Sequence, residues 1–415
     1  MEVSARLGRS LKPILRLISA CLFAISALLV FDTGPVHAQF VPPQGPAQSA
    51  STCFASAPSS TTATACLNVN QVAGRLAATQ QQLSFGAVES VLQNVRDRLQ
   101  GTSARSSGRA LISGYAASNL DDEPLSYASQ SRHQNPLAAY NAPVASAGNS
   151  GPSWAVWGQG LADWERVHAM NSLDTNRFVT TYSGLGGVDG TWQNLFGGDA
   201  LVVGLVGSWT GSHVAYDGTP TTVRLEGPGV GLYGAYVNGG FSVDATGKVD
   251  FLNLTENFAG LSPSLGSGLT NVGVANNMQY KYIWGSSFFE PTAGIQYTRT
   301  LFGGGEAALG VQDGSTLRVQ GGARIGTAWN TPGANVEVTL KGLVYSNVVA
   351  TGTSIATGAF GLGVIPTDRG RVRGEIDPEL NLDFRNGYTA FLGGSLRFGE
   401  EIVGGSAKVG LRKQW

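Results

Sequence analysis

From Trp154 to Trp415 the chain alternates with a period of two. Leu317, Val319, Gly321, Ala323 and Ile325 fall on one parity, and Arg318, Gln320, Gly322, Arg324 and Gly326 on the other. Val336, Val338 and Leu340 alternate with Glu337, Thr339 and Lys341. Leu380, Leu382 and Phe384 alternate with Asn381, Asp383 and Arg385, and Ala407, Val409 and Leu411 with Lys408, Gly410 and Arg412. Successive side chains on a strand point to opposite faces, so each segment presents one apolar face and one charged or small face. That is the pattern of an antiparallel sheet with two unlike sides.

Composition narrows what the apolar side meets. Charged residues make up 13% of the 415, about half the ~25% usual in soluble domains, which argues against an ordinary cytosolic enzyme. No stretch beyond the N-terminus holds 18 consecutive apolar residues, which excludes a multi-helix membrane protein. The formal net charge of −1 leaves no basic field for nucleic acid.

A soluble sandwich would bury the apolar faces against each other, whereas a membrane barrel turns them outward to lipid around a polar lumen. Two features of the strands favour the barrel. The polar parities carry ions that can pair across a watery interior: Arg224, Glu226, Arg318, Arg324, Glu337, Asp383, Arg385, Arg397 and Arg412. Aromatics gather near strand ends, with Trp154, Trp157, Trp164, Trp192, Trp209, Trp284, Trp329 and Trp415 placed as interfacial girdles. Such a sheet must close, because an open edge in hydrocarbon leaves backbone groups unpaired. Candidate strands start near residues 154, 177, 200, 222, 240, 277, 290, 316, 335, 372, 388 and 405. The expectation is therefore an all-β, closed antiparallel transmembrane barrel of about twelve strands, with ten or fourteen as alternatives. The segments 257–274 and 352–367 read as longer surface loops.

The N-terminal part reads differently. Arg6, Arg9, Lys12 and Arg16 precede the mostly apolar run Leu17–Phe31, and Val36-His37-Ala38 forms a small-residue cleavage site. Residues 1–38 thus read as an export signal, with an uncleaved anchor helix as the alternative; export is the third feature that favours a barrel. Residues 39–66 are rich in Pro, Ser and Thr and read as a flexible lead. In 67–100, Val72, Leu76, Leu83, Val88, Val91, Leu92, Val95 and Leu99 recur at roughly helical spacing, with Gln80–Gln82, Arg96 and Arg98 facing the other way. Residues 101–150 read as a linker before a barrel domain over 151–415. Cys53 and Cys66 are the two cysteines of the mature chain, and in an exported protein they read as one small disulfide loop or as two free thiols.

Four pieces of the C-terminal region carry a family resemblance. Trp154-Ala155-Val156-Trp157-Gly158-Gln159-Gly160 resembles the first strand of the translocator β-domain of autotransporters, the type V secretion family of Gram-negative bacteria. The hairpin Gly229–Val243, the segment Phe289-Glu290-Pro291-Thr292-Ala293-Gly294-Ile295-Gln296-Tyr297 and the terminal Val409-Gly410-Leu411-Arg412-Lys413-Gln414-Trp415 resemble later pieces in the same order. The resemblance implies a monomeric twelve-stranded barrel in outer-membrane lipid, an N-terminal passenger and a helix lying in the lumen. It also implies handling by periplasmic chaperones and by the outer-membrane assembly machinery, with Leu411 and Trp415 in the terminal signal. Lys413 stands where the family usually has a second aromatic residue. The 112 residues from 39 to 150 contain no repeat, so no β-helical passenger is expected.

Catalytic readings lack a constellation. His213 and Asp217 lie near Ser208 and Ser212, but neighbours along one strand do not assemble a triad. His168 reads as a loop residue, and Gly303-Gly304-Gly305 as a turn with no helix start to cradle a phosphate. No metal-ligand spacing is present, and no enzyme activity or cofactor is expected. Anchoring and translocation of a short passenger is the leading function; a passive pore for small solutes and a surface adhesin acting through loops are the alternatives. Amino-terminal sequencing of protein from the membrane fraction should begin at Gln39; an intact Met1 would instead support the anchor helix.

Overall fold

The computed structural model describes residues 152–168, 176–193, 195, 199–218, 222–257, 265–302, 313–331, 333–351, 371–384 and 387–415. The signal, the lead with its two cysteines, the helical segment and the linker all lie outside the described residues. Every element within them is a strand: β1 (Ser153–Val167), β2 (Arg177–Gln193), β3 (Asp199–Tyr216), β4 (Thr222–Asn238), β5 (Phe241–Asn257), β6 (Leu265–Tyr280), β7 (Tyr282–Trp284), β8 (Ser287–Phe302), β9 (Gly314–Asn330), β10 (Ala334–Thr351), β11 (Val372–Phe384), β12 (Tyr388–Phe398) and β13 (Ile402–Gln414).

Twelve long strands form one closed antiparallel ring. Each pairs with its sequence neighbours, β6 pairs directly with β8, and the three-residue β7 is a spur hydrogen-bonded to β8. The first and last strands close the circle, from Ala155↔Gln414 to Val167↔Ile402. Beyond that register Trp154 and Trp415 exchange backbone bonds of 3.2 and 3.0 Å, and the His168 amide donates to the Glu401 carbonyl at 2.7 Å. The seam is thus as fully paired as any other part of the wall.

The two ends of the barrel differ. At the end holding Ser153 and Trp415, consecutive long strands are joined by two to six residues, β7 included. At the other end the connections reach twenty residues, between Thr351 and Val372. This asymmetry is that of outer-membrane barrels, with short turns inside and long loops outside.

The alternation sorts into an outer and an inner surface. Val230 is 56% exposed and Leu232 62% exposed, while the adjacent Gly229, Gly231 and Tyr233 of the other parity are buried. Val203, Leu205, Ile325, Val344, Leu392, Leu396, Val409 and Leu411 are likewise turned outward. An aromatic girdle rings the turn end, where Trp154 meets Trp192 edge-on at 6.3 Å and Tyr280 tilts against Tyr282 at 4.7 Å. Trp284, Trp329, Tyr388 and Trp415 continue it.

Three expectations need correcting. Trp157 is not a girdle residue; it points inward and is 5% exposed. The sixth strand begins at Leu265 rather than near 277, so part of the expected loop 257–274 is strand. Its alternation is inverted at the start, because Leu269 is buried inside while Gly268 and Thr270 face out. Arg224 and Glu226 do not face the lumen: they share the outward parity of Val230 and Leu232, with side chains 56% and 35% exposed. Near the loop end the outer surface leaves the hydrocarbon, and charge there no longer marks the inside.

Leu232 tests the orientation directly. Leu232→Arg places a cation in the apolar belt and should destabilise the barrel in lipid by about 2–4 kcal/mol, measured by urea unfolding in vesicles. An unchanged midpoint would mean that this face does not touch acyl chains.

Candidate functional site

The lumen wall is the candidate site, built from the inward parity of all twelve long strands. It is divided into an ionic arc and an apolar arc. The ionic arc runs from β8 through β13 onto β1 and β2. Arg324 bonds Glu290 at 3.0 Å, Lys341 bonds Asp377 at 2.8 Å and Lys408 bonds Glu379 at 2.7 Å. Arg318, 2% exposed, stacks 3.4 Å from the Tyr345 ring centroid and lies 3.8 Å from Glu375. Glu337 and Asp383 are inward and buried in the same arc. Arg385 lies outside the described residues.

Two further arginines form ion pairs across the seam. Arg397 on β12 reaches over β13 to Asp163 and to Glu165, the latter at 3.4 Å, both on β1. Arg412 on β13 reaches over β1 to Asp189 on β2 at 2.8 Å. A pair that skips a strand fixes two hydrogen-bonded ladders at once. At the loop end Arg373 and Arg371 converge on Glu401 in the turn before β13. Burial alone would raise the Glu401 carboxyl, but these two guanidiniums hold it below its ordinary value.

The arginine of the second straddling pair continues into an aromatic chain. Asp189 accepts from Arg412 on one oxygen and, at 2.7 Å, from the Tyr233 hydroxyl on the other. The Trp157 indole N–H donates to that same hydroxyl at 2.7 Å, with the two rings edge-on at 6.1 Å. Glycines make this possible. A Cβ at Gly187 would lie 2.6 Å from the Trp157 ring, and one at Gly204 would collide with the Tyr233 ring. The rings from β1 and β4 therefore lie down across β2 and β3 and meet.

The apolar lining is centred on β3 and β4 and extends to Leu185 on β2 and to the loop ends of β5 and β6; elsewhere the inward faces of β5 and β6 are polar, with Ser242, Asp244, Thr246, Asn271, Asn277 and Gln279 buried. Towards the turn end the lining holds Leu185, Ala200, Val202, Val206 and Ala235 around Trp157 and Tyr233. Towards the loop end it holds Val214, Val223, Leu225, Leu252, Leu254 and Leu269. Between them Lys248 and Asp250 pair with each other, fully buried. Sequence reading missed this arc, because on β3 and β4 both parities are apolar and the alternation carries no contrast there. It also missed Asp163, Glu165, Asp189 and Tyr233. The first three were legible as acids of inward parity once the β1 and β2 registers were known.

Other candidates are separated by the fold. His213 faces outward while Ser208 and Ser212 face inward, and Asp217 is engaged by Arg166 at 2.8 Å. Among the described residues no three His, Cys, Asp or Glu side chains converge on a metal-sized site. At the C-terminus Leu411 and Trp415 are outward and exposed. Lys413, between them, is also outward and sets its ammonium 4.2 Å from the Tyr388 ring centroid, an interfacial placement that a long aliphatic stem permits.

Arg412→Ala would leave Asp189 buried without its cation and should cost about 3–5 kcal/mol. Urea unfolding in detergent is the measurement. Adding Asp189→Ala should cost less than the sum of the two single changes, since the groups act as one unit.

The family model described as the autotransporter beta-domain matches residues 156–395. The β-domain of the Bordetella autotransporter BrkA superposes with a TM-score of 0.50 at 15% identity, covering 63% of this chain and all of that one. The translocator domain of NalP from Neisseria meningitidis gives 0.48 at 9% identity, covering 65% of this chain and 90% of that one. The transport unit of AIDA-I from Escherichia coli gives 0.47 at 11% identity, covering 66% and 93%. No curated protein sequence matches the chain. A closed ring of twelve long strands, an apolar outer belt and the matching family model lead to one identification: this chain belongs to the autotransporter β-domain family, and its strands form an outer-membrane translocator barrel of a Gram-negative bacterium.

Proposed function

We propose that this translocator barrel exports and then anchors a short passenger, residues 39–150, after residues 1–38 are removed as an export signal. The observation that carries the reading is the two-sided lumen wall. Its ionic arc over β8–β13, β1 and β2 offers charge to a polar partner, while its apolar lining, centred on β3 and β4, offers an apolar partner surface.

Residues 67–100 match both arcs. Their apolar positions, Val72 to Leu99, recur at helical spacing, and Gln80–Gln82, Arg96 and Arg98 lie on the opposite side. A segment of this kind, set in the lumen, turns its apolar stripe to β3 and β4 and its polar side to the acids of the ionic arc. The intervening residues 101–150 give it ample reach to the start of β1. Cys53 and Cys66, if bridged, close a loop of a size that a barrel can pass or retain at its mouth. During biogenesis the outward Leu411 and Trp415 of β13 present the terminal strand to the assembly machinery, after periplasmic chaperones have kept the chain unfolded.

The test uses whole cells and planar bilayers. An epitope placed within 39–66 should be labelled on intact cells and removed by added protease, while the barrel remains heat-modifiable on gels. Deleting 67–100 should raise single-channel conductance several-fold. Periplasmic retention of the epitope together with unchanged conductance would favour a simple solute pore.

A further inference from the structure

The outer wall carries a polar constellation where a barrel ordinarily needs none. Tyr182 on β2 faces outward, and its ring lies flat across Gly211 on β3, where any Cβ would collide with the phenol. Its hydroxyl interacts electrostatically with the Arg224 guanidinium on β4. Arg224 Nε and Nη2 both donate to Glu226 Oε2, at 3.0 and 2.6 Å. Side chains from β2 and β4 thus flank one guanidinium on the outer surface, across the strand between them. Of the five N–H donors of an arginine, two go to Glu226, which leaves the Nη1 edge to meet an acceptor.

The neighbouring positions continue the polar zone. His213 is the direct cross-strand partner of Arg224 and is outward and exposed, and Thr180 and Thr255 lie on the same rung to either side. Arg166, paired with Asp217, projects outward from β1 at the same end of the barrel.

Height decides what this zone meets. Along β4 the outward parity runs Tyr236, itself buried but level with the girdle residue Trp192, then Gly234, Leu232, Val230, Pro228, Glu226 and Arg224. From Tyr236 to Glu226, at ~3.3 Å per residue and a tilt of ~40°, the chain climbs about 25 Å, the thickness of the apolar band. Glu226 therefore sits at the rim of the hydrocarbon on the loop side, and Arg224 and His213 stand in the headgroup layer just above it. On the adjacent strand the outward run Leu201, Val203, Leu205, Gly207, Trp209 ends below the same level.

We propose that Arg224, held by Glu226 with Tyr182 and His213 beside it, is a binding site for the phosphate of a phosphorylated glycolipid in the outer leaflet. The inference rests on the outer-membrane barrel reading and adds a specific lipid partner to it. A preset guanidinium favours phosphate over neutral headgroups, because it donates in a fixed planar geometry. The polar hydroxyls and amides of Thr180, Thr255 and Asn253 suit the sugar of a glycolipid rather than a bare diester.

The experiment takes the full chain into nanodiscs of phosphatidylcholine containing a small fraction of lipopolysaccharide, with phosphatidylglycerol discs as the anionic control. Retained glycolipid per barrel is counted by native mass spectrometry after detergent washing. The wild type should retain lipopolysaccharide and release phosphatidylglycerol, and millimolar inorganic phosphate should leave retention unaltered. Arg224→Ala should lower retention about tenfold, the loss expected for one charge-assisted contact. Gly211→Val, which lifts the Tyr182 ring while keeping Arg224, should also lower it. Arg299→Ala removes an outward cation on β8 and should change nothing. Equal retention by Arg224→Ala, equal retention of phosphatidylglycerol, displacement by free phosphate, or a matching loss in Arg299→Ala would each overturn the proposal. Every variant is checked for heat-modifiable mobility. A chain that shows none would strike the barrel reading itself, whereas lost specificity in an intact barrel strikes this inference alone.

Discussion

A peptide group in hydrocarbon has no water to bond, and an unpaired one costs several kcal/mol. Everything else in this structure is arranged around that constraint. It forces the sheet to close, and closure makes the β1–β13 seam the place where ends of the chain must behave like continuous wall. The register from Ala155↔Gln414 to Val167↔Ile402 meets the requirement for the backbone. The side chains reinforce it from inside. Arg397 and Arg412 each jump a strand, one from β12 to β1 and the other from β13 to β2, so the seam is bracketed by charges anchored on both sides. Because these ions are shielded from bulk solvent, each pair is costly to break singly even where its net contribution to folding is small.

The same constraint leaves the lumen free to vary, since backbone bonds are already satisfied and the inner side chains need only pair or pack. The wall uses both options. Opposite charges are matched over β8–β13 and the first two strands, and aliphatic side chains pack mainly over β3 and β4 and the loop ends of β5 and β6. A wall of this kind is poorly suited to a uniformly hydrated channel. It suits a guest with one oily and one polar side.

Legibility in the sequence followed contrast. The strands from β9 onward were visible because aliphatic residues on one parity face Arg, Lys, Glu and Asp on the other, and their starts fall within about three residues of those read from the pattern. On β3 and β4 the contrast fails. Val202, Val206, Val223 and Leu225 point inward while Val203, Leu205, Val230 and Leu232 point outward. Charge alone then points to the inside, and for Arg224 and Glu226 it points to the wrong face. Parity cannot give height, and height is what makes an outward ion pair tolerable. Trp157 misled for a related reason. Its place near a strand end suggested a girdle, whereas its odd parity, shared with Gln159 and Leu161, puts it in the lumen.

The skipped-strand contacts also explain some of the glycine. In a flat sheet, side chains reach the adjacent strand and little further. Here an aromatic ring that lies down over a glycine on the next strand reaches the strand beyond it. Inside, Tyr233 crosses Gly204 to Asp189, and Trp157 crosses Gly187 towards Tyr233. Outside, Tyr182 crosses Gly211 to Arg224. The first arrangement ties the seam region to the apolar lining, and the second sets a phenol beside a cation on the outer wall. In each case the glycine has no partner of its own to offer, and its contribution is the space through which two other strands are joined.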